Sequence, residues 1–183
     1  MIKTTETYWF PMRVTYNREL IIKEQLDKLG IECFLPMCYK VVDEKGKRMH
    51  KLVPAISNLI FIHSTNEIVS NLKMFDKRFE PLRYIMKVSH IDATRDIMTV
   101  PEASMENFIK VTKEPSEKVF YLNPGDYINN NVGKKVAIVD GPFAGVVGII
   151  KRIKRNKHVV VQIEDIAAAA IEFVPTNFLV EIL

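Results

Sequence analysis

Cysteine, histidine and tryptophan are scarce in this 183-residue chain, with two, four and one copies respectively. Cys33 and Cys38 are too few for a disulfide scaffold. The histidines at 50, 63, 90 and 158 are scattered, so no four-ligand zinc cluster is spelled out, and no metal or other cofactor is expected. Long apolar runs are missing too. Nothing approaches 18 uninterrupted apolar residues, and the weakly charged stretch 166–171 is far too short to span a bilayer. No basic segment followed by an apolar one opens the chain, so the expectation is a cytoplasmic protein without a membrane partner. Charge of one sign is nearly cancelled: 26 basic and 22 acidic side chains leave +4, which permits nucleic-acid contact without demanding it. Neither a Gly-x-x-x-x-Gly-Lys-Ser/Thr loop nor a Gly-x-Ser-x-Gly elbow is present. The carboxylate pairs Asp43/Glu44 and Glu164/Asp165 lie on turns without an orienting partner, so an enzyme is not expected. What remains is ordinary globular stock, 48% hydrophobic and 26% charged, with enough apolar surface to offset the entropy of ordering.

Alternation and punctuation sort that stock into elements. Residues 7–16 read as a strand, with Tyr8, Phe10 and Met12 on one side and Trp9 on the other. Asn17 is placed to cap a helix reaching about Leu29, with Ile22, Leu26 and Leu29 on its apolar face and Gly30 as its stop. Strands follow at 31–36 and 39–42, then a turn at 43–47 and a basic segment, 48–54, without a clear assignment. Residues 59–63 form an apolar strand. Ser64 and Glu67 fit a capping box for a helix to Phe75, whose apolar face is Ile68, Leu72 and Phe75. Strands at 82–88 and 96–99 precede a helix carrying Met105, Phe108 and Ile109, with Thr99 and Glu102 as its capping box. Helices this few argue for an antiparallel sheet with helices on one face, an α+β domain over residues 1–111.

After a polar linker, 112–122, the pattern becomes strand and turn only. Turn clusters are expected at Pro124-Gly125-Asp126 and Asn129-Asn130-Asn131, and five short strands over 123–183 suggest a small closed β-barrel. The run Ala167–Ala170 fits either a curved strand or a helical turn.

The stretch 136–150, VAIVDGPFAGVVGII, resembles the KOW motif of NusG-type transcription elongation factors, through Asp140, Gly141, Pro142, Phe143, Gly145 and Gly148. The opening of the chain also resembles the NusG N-terminal domain: Trp9-Phe10 in the first strand, Asn17-Arg18-Glu19 at the helix start, and residues 31–36, IECFLP, after it. That segment and the ending Pro175 to Leu179, PTNFL, are most similar to the UpxY branch of specialised paralogues serving surface-polysaccharide operons in Bacteroides-type bacteria. The resemblance implies a ferredoxin-like NusG N-terminal sandwich followed by an SH3-like five-stranded KOW barrel. It also implies operon-specific antitermination through the clamp helices of RNA polymerase, by a monomer whose KOW domain takes a partner the sequence does not name. The alternatives are a general NusG-like elongation factor and an RNA- or ribosome-binding KOW protein.

Under that resemblance Trp9, Phe10, Met12, Ile56 and Leu59 are candidates for polymerase contact, with plain core packing as the rival reading. Arg13, Tyr16, Asn17 and Arg18, joined by Arg48 and Lys51, are candidates for contact with non-template DNA. The basic run at Lys151, Arg152, Lys154, Arg155 and Lys157 reads either as a solvated hairpin tip or as an RNA contact through Lys154 and Arg155. The glycines of the KOW motif serve turn and strand geometry. Cys33 reads as a small buried hydrophobe.

Overall fold

A computed structural model describes residues 6–44, 46–88, 94–122, 133–153 and 156–182. The turn clusters expected at 124–126 and 129–131, and the candidate contacts Lys154 and Arg155, lie outside the described residues. In chain order the elements begin with β1 (Thr7–Val14), α1 (Glu19–Lys28), β2 (Cys33–Phe34), β3 (Met37–Glu44), β4 (Lys47–Pro54), β5 (Leu59–Thr65) and α2 (Asn66–Phe75). They continue with β6 (Leu82–Tyr84), β7 (Met86–Val88), β8 (Arg95–Ile97), α3 (Glu102–Thr112), β9 (Val119–Leu122) and β10 (Lys135–Ile138). The last are β11 (Val147–Ile153), β12 (Asn156–Ile163), β13 (Ala167–Ile171) and β14 (Leu179–Glu181). The chain groups into two compact units, Met1–Pro36 with Ile56–Glu102, and Met37–Ala55 with Ala103–Leu183.

The first unit is built on a four-stranded antiparallel sheet in the order β2-β5-β1-β6, with β7 and β8 as a separate pair. Its two long strands are central, and its edges are β2 and β6, of two and three residues. Four successive residues of β1, from Trp9 to Met12, are buried, so both faces of this strand are covered. Helix α1 buries Ile22 and Leu26, as its spacing predicts, but leaves Leu29 exposed. Its end is a Schellman motif: Gly30 (φ +66°) donates its N–H to Asp27 O and Ile31 donates to Leu26 O, both at 3.0 Å.

The expected caps fall elsewhere. Asn17 sits at φ +52° and Arg18 holds the cap position of α1 without a side-chain cap bond. The first turn is instead secured by Glu19, which is buried and accepts the Asn58 N–H at 2.5 Å. In α2 the cap is Thr65, whose Oγ1 accepts the Ile68 N–H, while Ser64 still belongs to β5. The buried face also differs from the expected one: Val69 is buried, and Ile68 and Phe75 face solvent. For α3, Glu102 is the first helical residue, so it cannot occupy the third position a capping box needs.

The second unit holds a six-stranded antiparallel sheet, ordered β14-β10-β11-β12-β13-β9. Its fifth member is the alanine run: β13 is a strand, buried at all five residues and paired on both sides. Alanine has little strand preference of its own, so pairing and close packing hold it there. Ala168 and Ala170 pack with Leu122 and Val160. The edge strand β9 lies within residues expected to be linker, and the unassigned basic segment is β4, hairpin partner of β3. Helix α3 lies against β11 through the Asn107 amide, which donates to Val147 O and accepts the Val147 N–H.

Gly148 pairs with Val136, and a Cβ there would stand 2.6 Å from Val159 Cγ1 and 2.8 Å from Val160 O. The basic run is not uniformly solvated. Lys151 is 7% exposed and faces His158, 6% exposed, across the β11–β12 ladder. Lys151 Nζ donates to Gln162 Oε1 at 3.3 Å, and His158 meets the Phe120 ring edge-on.

Two measurements check this sheet. Gly148→Val should lower unfolding stability by about 1–3 kcal/mol in chemical denaturation, because backbone must move to admit the side chain. Burial lowers the Lys151 pKa from its ordinary 10.5, so the unfolded chain holds that proton more tightly. Stability should therefore rise with pH between the lowered value and 10.5. Lys151→Met should flatten that rise and stabilise the protein at neutral pH, read by thermal melts across the range.

Candidate binding surfaces

Of the five residues expected to touch polymerase, four are core. Phe10 and Met12 are fully buried, Leu59 is 2% exposed and Trp9 3%. Phe10 sits edge-on between Tyr8 and Tyr84, and Leu59 is register partner of Arg13 on β1. Trp9 is held on all sides. Its ring stacks on His63 at 4.7 Å and 10°, its Nε1 donates to Glu102 Oε1 at 3.2 Å, and its carbonyl accepts the Val100 N–H. His63 in turn places Nδ1 2.6 Å from Glu32 Oε2 and Nε2 3.5 Å from Glu102 Oε2. Such side chains shape a surface from beneath and cannot supply it. The reason is that β1 is covered on both faces, where period-two alternation suggested one.

Ile56 alone of the five keeps part of its side chain outside, being half-buried before β5. The tip that follows it is fixed: Asn58, at φ +60°, gives its N–H to Glu19 and its carbonyl to the Val14 N–H.

The first basic group stays exposed. Arg13, Tyr16, Asn17 and Arg18 all face solvent at the end of β1, with Tyr16 at 82%. Tyr16 (φ +66°) and Asn17 (φ +52°) are consecutive left-handed residues, at a cost of about 1–2 kcal/mol for the tyrosine and less for asparagine, which tolerates that region. The strained turn is anchored by Thr15, whose N–H reaches Pro81 O at 3.0 Å. The Arg18 guanidinium lies 5.5 Å from the Tyr16 ring centre. A bare aromatic ring beside guanidinium groups can stack a base and meet phosphate.

Sequence reasoning missed three neighbours of this group. Arg83 stands opposite Arg13 in the β1–β6 ladder, a like-charge pairing that no single-strand reading exposes. Leu20 and Ile21, 51% and 55% exposed, lie off the helix face that Ile22 and Leu26 define, and that periodicity could have flagged them.

The remaining candidates belong to the second unit. Arg48 and Lys51 are exposed on β4, opposite Asp43 and Lys40. The segment 140–148 forms a tight turn and the strand after it. Asp140 Oδ1 accepts the Gly141 N–H, Gly145 at φ +82° donates to Ile138 O, and the Phe178 ring covers Gly141. Among the described residues no group of three or more His, Cys, Asp or Glu is arranged to hold a metal, and no helix is long and apolar enough to cross a membrane. Burial pushes the Cys33 thiol up to about 11, which suits packing better than nucleophilic work.

Residues 7–109 match the family model described as NusG, transcription termination factor nusG. The chain belongs to the NusG family. A solved structure titled "Domain interaction in Thermotoga maritima NusG" is similar at 13% identity and a TM-score of 0.43, covering 99% of this chain and 100% of that one. No curated protein sequence matches the chain. This NusG-family chain is thus a transcription factor of mixed α/β build with antiparallel sheets.

The strained turn gives a direct check. Tyr16→Asn replaces an aromatic by a residue that tolerates the left-handed region and forfeits almost no packing. It should raise stability by about 1 kcal/mol in urea denaturation, where an ordinary buried tyrosine would lower it.

Proposed function

We propose that the protein is an operon-specific antitermination and elongation factor that binds RNA polymerase at its clamp helices and serves surface-polysaccharide operons. Membership of the NusG family supports polymerase as the partner. The observation that carries the nucleic-acid part is the exposed group Arg13, Tyr16, Asn17 and Arg18, whose middle two residues take left-handed backbone and which fills no core. It suits a non-template strand, with bases on Tyr16 and phosphates on the arginines.

In this reading residues 1–111 engage polymerase through the surface around Ile56, with the buried Trp9, Phe10, Met12 and Leu59 holding the sheet that carries it. Residues 123–183, with β9 completing their sheet, act as a KOW module of SH3-like barrel form; of the expected linker 112–122 only the stretch between α3 and β9 joins elements without being one. Arg48 and Lys51 make a nucleic-acid contact of their own, and Lys154 and Arg155 contact RNA. The factor works as a cytoplasmic monomer without catalysis. It favours the elongating state by binding it better than the paused one.

Binding to purified polymerase tests the contact. Ile56→Asp should weaken it more than tenfold, about 1.4 kcal/mol, while circular dichroism stays unchanged. Arg13→Gln with Arg18→Gln should leave core-polymerase binding intact and flatten the salt dependence of binding to an elongation complex. Terminator read-through in single-round transcription tests specificity. A gain confined to the protein's own operon leader supports the proposal, and an equal gain on unrelated templates favours a general elongation factor.

A further inference from the structure

The second unit contains a cavity of about 400 Å³ that none of the roles above uses. One wall is the β3–β4 hairpin, through Met37, Cys38 and Tyr39, and the other is the segment 114–121, through Glu114, Glu117 and Tyr121. The size lies within the range of small-molecule sites. The second wall is set by a turn: Ser116 Oγ accepts the Lys118 N–H at 3.1 Å, and its carbonyl accepts the Val119 N–H at 3.2 Å. Tyr121 is fixed at its tip. Its hydroxyl bonds Thr112, whose own Oγ1 donates to Phe108 O, and burial raises its pKa, so the phenol stays neutral and its ring is left to line the space.

The charge on the lining is one-sided. It carries two carboxylates and two phenol rings, and no lysine or arginine, although basic residues outnumber acidic ones in the whole chain. Its other titratable groups are the Cys38 thiol and the His50 imidazole. Phenol faces and carboxylates both favour a positive guest, and the Met37 and Val119 side chains favour an apolar body attached to it. We propose that this cavity binds a small organic cation, an amine carried on a compact aromatic or apolar frame.

Phenethylamine is the probe, titrated calorimetrically into the full chain beside 2-phenylethanol and 3-phenylpropionate, which keep the frame and change the charge. The amine should saturate at millimolar concentration or tighter, the alcohol should bind at least about fivefold more weakly, and the acid should not bind. Cys38 supplies a local readout. In a Cys33→Ser background the amine should slow iodoacetamide alkylation of Cys38 at least about threefold. Glu114→Gln with Glu117→Gln, both on exposed sites, should abolish the preference for amine over alcohol while leaving the fold intact by circular dichroism. Equal binding of amine and alcohol, an unchanged Cys38 rate under saturating amine, or a preference that survives the double substitution would each overturn the assignment.

Discussion

Seven consecutive register pairs join β1 to β5, from Thr7 with Thr65 to Arg13 with Leu59, and the first unit is arranged around that ladder. β1 is paired on its other edge by β6 and covered on both faces, so its middle has no outward side to offer. Fully burying a side chain such as Phe10 or Met12 contributes about 1.5–3 kcal/mol, which makes these positions supports for the sheet. The residues this strand can present to a partner are displaced to its end. There Arg13 emerges and the chain turns through Tyr16 and Asn17 into α1. The Asn58 contacts to Glu19 and Val14 tie the start of β5 to the same corner. One ladder thus settles both what is hidden and where the exposed group stands.

Several elements were legible from residue order because a local rule decided them. Gly30 ends α1, since a left-handed position after a helix favours glycine, and the apolar run 59–63 is a strand because nothing in it suits a turn. The turn at 140–145 was legible because left-handed positions such as Gly141 and Gly145 favour glycine. Other features depended on neighbours that sequence does not name. Asn17 and Ser64 have good capping chemistry, yet Thr65 caps α2, and α1 starts from Arg18 with no side-chain cap while Glu19 accepts the Asn58 N–H. Ile68 and Phe75 gave a plausible helical face, yet the tertiary packing buries Val69 and leaves both of them outside. Double-sided burial of β1 could not be read from alternation, because both faces of such a strand carry apolar residues. Arg13, Tyr16, Asn17 and Arg18 stand exposed, but the left-handed backbone at Tyr16 and Asn17 was invisible in the sequence.

The second sheet is organised by small size and close approach. Gly148 lets β11 come against β12, and four alanines let β13 sit between β12 and β9 with no side chain reaching far. Within so tight an assembly a lysine is an anomaly. Lys151 is buried opposite His158, with Gln162 as a hydrogen-bond partner. Seen as sequence, Lys151 belonged to a basic tract, but strand alternation sends it inward while its neighbours Arg152 and Lys157 remain outside.

Both sheets end in short strands: β2 and β6 have two and three residues, β14 and β9 three and four. An unpaired strand edge is a template on which a foreign chain can add, and its danger grows with length. The eight-residue β1 and seven-residue β5, rich in apolar side chains, would be hazardous at a border and are interior. The short borders offer an incoming strand only a few backbone partners, and Arg83 sets a charge in the middle of β6. Within these two larger sheets, resistance to edge-to-edge aggregation is therefore built into the order of the strands, and lengthening β2 or β6 would erode it before it disturbed the native core.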